Sequence, residues 1–214
     1  MQSKSLALFC LAIALLISGC KLVKNTPDAE GVIAADASGD DARNAARLDE
    51  TFDAKLIPHI SSKAQPLETL ASKLGDGLDK AGQAYGVRSS GAGSAWNFAV
   101  TVSGTVVEAK LDTRARTAGL DSDGDGTTDA IIQLGPVVKG TALRDIAPFY
   151  NFDDFRDQIE YAKLARALNT RALGLINLPE SDLIGRTMSI TGVVALRSQT
   201  GKILVTPIDV EMSP

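Results

Sequence analysis

Apolar residues change their spacing several times along the chain, and each change predicts a different element. Leu6 to Ile17 are almost continuously apolar behind Lys4, and the small residues Ser18 and Gly19 follow. A run of about 12 apolar residues is too short for an ordinary spanning helix, so it predicts a secretory signal over residues 1–19. Residues 20–41 are rich in Asp, Ala, Gly and Asn and read as an anchor and flexible tether. Over 42–86 the spacing becomes helical. Phe52, Leu56 and Ile57 share a face before Pro58 interrupts. Pro66 then opens a second helix carrying Leu67, Leu70, Leu74 and Leu78, which Gly86 ends.

From residue 95 the period falls to two. Trp96, Phe98, Val100 and Val102 alternate with smaller or polar residues, Gly104 breaks the run, and Val106 to Leu111 continue as a second strand. A third strand, Ala130 to Leu134, follows an Asp/Gly-rich loop, and Gly135-Pro136 turns the chain. Thr141 is placed to cap a helical turn over Ala142 to Ile146. Phe152, Phe155, Ile159, Ala162 and Ala165 predict a helix over 152–175, with acids early and bases late to suit its dipole. Strands Met188 to Leu196 and Ile203 to Met212 close the chain, with Pro207 marking an edge or a bulge.

Three strands, a helix and two strands are the element order of an OB-type barrel. The expected architecture is therefore α+β. N-terminal helices (42–86) precede an antiparallel five-stranded OB-like barrel (95–214), with a helix between its third and fourth strands. An open antiparallel sheet with helices on one face is the alternative. In either case the 152–175 helix covers the sheet and Phe155 lies in the core.

Composition narrows the chemistry. The 214 residues carry 22 Lys+Arg against 26 Asp+Glu, a net charge of −4, which argues against a nucleic-acid partner. At 44% hydrophobic the chain can bury a core. Of the two cysteines, Cys10 leaves with the signal, so an intramolecular disulfide is not expected. The one histidine, His59, reads as a helix-surface or capping residue rather than a base. No GxSxG, HExxH, P-loop or GxGxxG motif occurs, and an enzyme is not expected. A hydrolase using scattered carboxylates is the catalytic alternative.

The sharpest local motif is Asp121-Ser-Asp123-Gly-Asp125-Gly126-Thr127-Thr-Asp129. Four carboxylates and the Thr127 carbonyl, brought round by a turn at Gly126, are the oxygens a calcium ion requires. The spacing resembles the calcium loops of thrombospondin type 3 repeats, and departs from an EF-hand at Ile132. The alternative is a solvated acidic hairpin loop without metal.

Two resemblances bear on function. Ile17-Ser18-Gly19-Cys20 resembles the lipobox of bacterial lipoproteins. This implies cleavage before Cys20, acylation of its thiol, and attachment to a membrane on the periplasmic side. Lys21 in the next position leans toward the outer membrane. Gly135-Pro-Val-Val-Lys-Gly140-Thr141-Ala-Leu-Arg144-Asp145, the Phe152 to Ala162 run with Gln158 and Tyr161, Asn169, and the late Gly185, Gly192 and Thr206-Pro207 resemble a bacterial family of predicted periplasmic lipoproteins of unknown function. The resemblance implies a non-catalytic accessory role beside sugar ABC transporters, with a transporter or other envelope protein as partner. An envelope assembly factor is the alternative. It assigns no catalytic residue. Read on their own, Arg144 and Asp145 favour a role in locking the strand-to-helix crossing over one in binding a ligand.

Overall fold

The computed structural model describes residues 33–88, 93–179 and 183–213. The expected signal peptide, Cys20 and most of the expected tether lie outside these residues. The compact unit begins at Ala34.

Its first helix starts before the expected tether ends. Asp36 accepts a hydrogen bond from the Ser38 amide and caps a 3-10 turn, Ala37–Gly39, which leads directly into α1, Asp40–Thr51. Residues 36–41 are therefore a capped helix start. An Asp-x-Ser cap and two acids at the positive end of a helix dipole explain it, and the same small polar composition imitates a linker.

Pro58 does not end a helix. The turn before it, Phe52–Leu56, widens to π geometry, and the Ile57 amide reaches Phe52 O. The chain then continues as α2, Ile57–Lys63, with Pro58 in the first turn, where its missing N–H costs little. After a short β1, Gln65–Pro66, the single expected helix over 67–86 is two: α3, Leu67–Gly75, and α4, Leu78–Tyr85. Gly77, at φ 117°, separates them.

Among the described residues the sheet holds seven strands. β2 is Gly86–Arg88, β3 Trp96–Lys110, β4 Thr117–Asp121, β5 Ala130–Gln133, β6 Thr187–Leu196 and β7 Ile203–Ser213. Gly104 does not break a strand: β3 runs unbroken for 15 residues. A Cβ at Gly104 would lie 2.1 Å from the Asp121 carbonyl, so glycine there lets β4 approach. β4 carries only Ala118 and Leu120 as strong apolar signals, which is why the sequence pattern passes over it.

Pairing runs from β3 to β4, β5, β7 and β6, and β6 pairs back to β3, so the path closes on itself. The expected all-antiparallel, five-stranded sheet is corrected on two counts. β5–β7 and β1–β3 are parallel, and β1 and β2 add to β3 outside the closed path. A parallel pair requires a long crossover, and the helical segment between β5 and β6 supplies it. Pro207 marks a bulge: Thr191 pairs with Asp209 but Gly192 with Pro207, leaving Ile208 without an opposite residue.

Successive residues of the central strands enter different cores, as side chains on opposite faces must. Phe98, Val100 and Val194 join Leu120, Ile132 and Val205 within the closed path, together with Leu67, Leu70 and Leu74 of α3. Ala99, Val193 and Ile208 face the other way. They are covered by Phe52, Leu56 and Ile60, by Leu143 of α5, Ala142–Asp145, and by Ile146 directly after it. Leu164 and Leu168 of α6, Gln158–Gly174, complete this second core.

α6 is shorter than the expected 152–175 helix and turned about its axis. Phe152 sits in a separate 3-10 turn and is exposed, as is Ile159 at 62%, whereas Glu160 is buried. Phe155 is buried as expected, although it precedes the helix that Asp157 caps. The phase follows from charge. Glu160 Oε1 lies 2.8 Å from Arg43 Nε and 3.0 Å from Arg47 Nη1, and Oε2 accepts from the Arg156 amide at 2.8 Å. Buried Asp40 in turn holds Arg43 at 2.7 Å, Arg156 at 3.1 Å and Lys163 at 3.4 Å. Burial alone would raise the Glu160 pKa, but hydrogen bonds from Arg43, the Arg156 amide and Arg47 outweigh it and hold the carboxyl at about 2.

Glu160→Gln leaves Arg43 and Arg47 without their shared carboxylate and should cost about 3–5 kcal/mol at neutral pH, measured by denaturant unfolding. Glu160 is depressed in the folded state, so its stabilisation is complete above the unfolded value near 4.5 and is lost as pH falls toward 2. The unfolding free energy of the wild type should therefore fall with acid across that window more than that of the variant.

Candidate functional site

The second core does not extend to the end of the sheet. Ala99 pairs with Val193 inside it, and in the next row on the same face Asn97 pairs with Ala195. At that row the helical layer stands away from the strands and leaves a cleft of about 840 Å³. This size is typical of small-molecule sites. Val87, Asn97 and Ala195 form its sheet side in a single cross-strand row, and Arg197 follows two residues beyond Ala195. α5, residues 147–152 and the first turns of α6 form the facing side.

The helical side is fixed by the segment that the sequence singled out. Gly140 turns at φ 91°, and Asn169 of α6 donates to its carbonyl at 3.1 Å. The amides of Arg144 and Asp145 both bond Thr141 O, which closes the short helix. Thr141 Oγ1 donates to Asp145 Oδ2 at 2.6 Å, and Arg144 Nε to Asp145 Oδ1 at 2.8 Å. The Arg144 guanidinium also bonds Tyr161 O at 3.1 Å and lies 3.6 Å above the Tyr161 ring. Tyr161 OH donates to Tyr150 O, and Tyr150 OH lies 2.6 Å from Thr51 Oγ1. Burial pushes up the pKa of both phenols, so both are neutral donors at physiological pH. Gly140, Thr141, Arg144, Asp145, Gln158 and Tyr161, separated by up to 21 positions in the sequence motif, thus meet around one cleft.

The sheet side contains residues that sequence reasoning did not single out as site residues: Arg88, Asn97 and Arg197. Arg88 pairs with Asp79 at 3.3 Å and lies 5.2 Å above the ring of Trp96, its register partner. The Trp96 indole also donates to Asp79 at 3.0 Å. The ring fits because α4 has a glycine beneath it: a Cβ at Gly82 would lie 2.2 Å from the indole. Asn97 is buried. Its amide nitrogen donates weakly to Val87 O and Ala95 O, each at 3.4 Å, and its Oδ1 has no hydrogen-bond partner among the described residues. A buried acceptor left this way costs about 1–3 kcal/mol. Sequence pattern hides these residues, because Arg88 and Arg197 sit at element ends and Asn97 on an apparent solvent face of an alternating strand.

The acidic loop lies elsewhere, after β4. Both oxygens of buried Asp121 accept backbone amides, from Gly124 at 2.7 Å and Gly126 at 2.9 Å, and these bonds hold its carboxyl below the usual carboxylate range. Asp129 Oδ2 accepts from the Ser122 amide and hydroxyl. Oxygens of Asp121, Asp123 and Asp129 lie within 4.8 Å of one another. Asp125 is outside this group and accepts from the amide and hydroxyl of Thr127. His59, on α2, places Nε2 3.1 Å from Ile146 O, where it fastens α2 to the end of α5. Among the described residues no helix is long and apolar enough to cross a membrane.

The class of fold is supported by comparison. An OB-fold protein from Thermotoga maritima, known from a crystal structure, superposes with a TM-score of 0.54 at 13% identity, covering 80% of this chain and 95% of its own. A family model described as predicted periplasmic lipoprotein (DUF2291) matches residues 10–211, and the chain belongs to that family. No curated protein matches it.

Gly82→Ala should force α4 and the indole apart and cost about 1–3 kcal/mol as an overpacking change. Trp96 is the only tryptophan, so the native emission spectrum reports its displacement directly.

Proposed function

We propose that this protein is a non-catalytic binding lipoprotein, held on the periplasmic side of a membrane through Cys20 and serving a transporter as an accessory. The closed strand path is read as an OB-like barrel that carries the cleft on its outer face. The observation that supports the reading is the convergence of the motif residues on that cleft. Among the described residues its one carboxylate, Asp145, is engaged by Arg144 and Thr141, which makes it a fastening of the wall rather than a general base. Lys21 after the acylated cysteine supports an anchor in the outer membrane. A sugar transporter is the partner that the family resemblance suggests.

Two variants test this reading. Cys20→Ala should leave an unprocessed, non-lipidated precursor, seen as loss of fatty-acid labelling and of membrane fractionation. Ala162→Trp fills the cleft from a half-buried position on α6. Native mass spectrometry of the lipidated protein released from membranes should show a small bound mass in the wild type and none in this variant. Retention of a crosslinked envelope partner by Ala162→Trp, with no bound mass in either form, would favour an assembly factor instead.

For the acidic loop we infer a structural calcium ion, on the grouping of Asp121, Asp123 and Asp129. Calcium at about 10 mM should raise the melting temperature by about 2–4 °C, and a chelator should reverse the rise. Asp123→Asn should abolish the shift, and Asp125→Asn, outside the group, should keep most of it.

A further inference from the structure

We propose that the cleft takes a flat, uncharged heteroaromatic ring, stacked on Phe152 and read along its edge by Asn151 and Gln158. The proposal rests on the cleft being the ligand site and adds the class of ligand and the residues that select it.

Phe152 has no place in the core. It and Phe155 stand three residues apart in the same segment, yet Phe155 is buried in the second core, whereas Phe152 lines the cleft and is 50% exposed. A ring left half in water contributes little to folding. It is nevertheless held in one position. The 3-10 turn Phe152–Asp154 fixes its backbone, through bonds from the Asp154 amide to Asn151 O and from the Phe155 amide to Phe152 O, each at 3.1 Å. Its ring meets that of Tyr161 at 78°, with centroids 5.5 Å apart. Tyr161 is in turn clamped by the Arg144 guanidinium and by Phe155, whose centroid lies 4.9 Å away, and Arg47 lies 4.3 Å above Phe155. Phe152 is thus the open end of a stack rooted in the core. An aromatic surface fixed in advance loses little freedom on binding and suits another flat ring.

The charges near it are already balanced. Both Asp145 oxygens are engaged by Thr141 and Arg144, and Arg144 is tied to Asp145, to Tyr161 O and to the Tyr161 ring. On the sheet side, Arg88 shares the face of its register partner Trp96 and pairs with Asp79, away from the row of Asn97 and Ala195. Arg197 is exposed on the sheet side, two residues beyond Ala195. The helical wall around Phe152 therefore selects for an uncharged group.

Amides flank Phe152 instead. Asn151 precedes it and makes no side-chain cap bond to the turn, and Gln158 opens α6; both line the cleft and are exposed. A carboxamide sets a donor and an acceptor side by side, the complement of the pattern along the edge of a nitrogen heterocycle. A saturated ring has neither the flat face nor that edge. Ala162 on α6 and Ala195 on the sheet are small, which keeps the space between the walls open.

The test is calorimetric titration of the intact protein with adenosine and with uridine. D-ribose is the non-planar counterpart, and benzoate is a flat ring that carries charge and lacks the edge. Binding of at least one nucleoside, and of neither D-ribose nor benzoate, is expected, with saturation-transfer NMR strongest at the base protons. Phe152→Leu keeps apolar bulk without the ring and should weaken that binding by about tenfold or more, whereas Phe152→Trp should retain it. Gln158→Ala should weaken it as well. Both positions are exposed, so these variants should keep the wild-type melting temperature, which separates loss of contact from loss of fold. Phe152→Leu binding as tightly as the wild type would overturn the stacking, and benzoate or D-ribose binding as tightly as the nucleosides would overturn the ring class. If neither nucleoside binds at about 1 mM while native mass spectrometry still shows a small mass that Ala162→Trp removes, the ring class fails and the cleft remains a ligand site. If that mass is missing too, both readings fail.

Discussion

β3 and β6 are apolar on both faces, and a sheet of that kind cannot stand in water with only one side covered. Phe98 and Val100 point into the closed strand path while Ala99 points out of it, and Val194 and Val193 divide in the same way. The inner face is satisfied by the other strands and by α3. The outer face requires a second layer, which α1, α2, α5 and α6 provide. The cleft exists because this layer stops one row before the strands do, at Asn97 and Ala195. A site at the end of a covered face has rigid strands for its floor and a helical wall that the main core already holds.

The helical layer has an ionic seam as well as an apolar one. Glu160 and Asp40 are both buried and are reached by Arg43, Arg47, Arg156 and Lys163. Such seams contribute little compared with apolar packing of the same volume, but removing one partner is costly. The seam therefore acts through specificity. It sets which face of α6 turns inward, burying Glu160 and leaving Ile159 in solvent, and so brings Tyr161 to the cleft and under Arg144.

Much of the architecture was legible in the sequence, for reasons that can be named. The signals at Trp96 to Val102 and 188–212 come from strands with an alternating stretch, 130–134 stood out as a short apolar run between turn signals, and the helix between the third and fourth strands of the closed path was marked by its apolar spacing and its charges. The expected count of three early strands was reached through the wrong pieces. Gly104 looked like an interruption because a close approach by Asp121 O leaves no trace in the chain, and β4 has too few large residues to show a period. Parallel pairing of β5 with β7 depends on a crossover longer than any local pattern. In the site, Thr141, Arg144 and Asp145 were visible as a motif, but their use as a wall was not separable from a use as ligands. Arg88 and Arg197 come to the same end of the sheet only through two registers with β3, which no spacing encodes.

Arg43 also bonds the Ala34 carbonyl, where the compact unit begins, and the Asp36 carbonyl at 3.1 Å. A pull on the chain from the N-terminal side of Ala34 enters the fold at this arginine. It passes to Glu160 and the first turn of α6 before it reaches a strand. The buried side of that fastening is shielded from mobile ions, so changes in envelope salt that weaken surface pairs leave it largely untouched. The N-terminal end of the compact unit is thus fastened to the helical wall of the cleft, and load on that end and the geometry of the wall share one set of contacts.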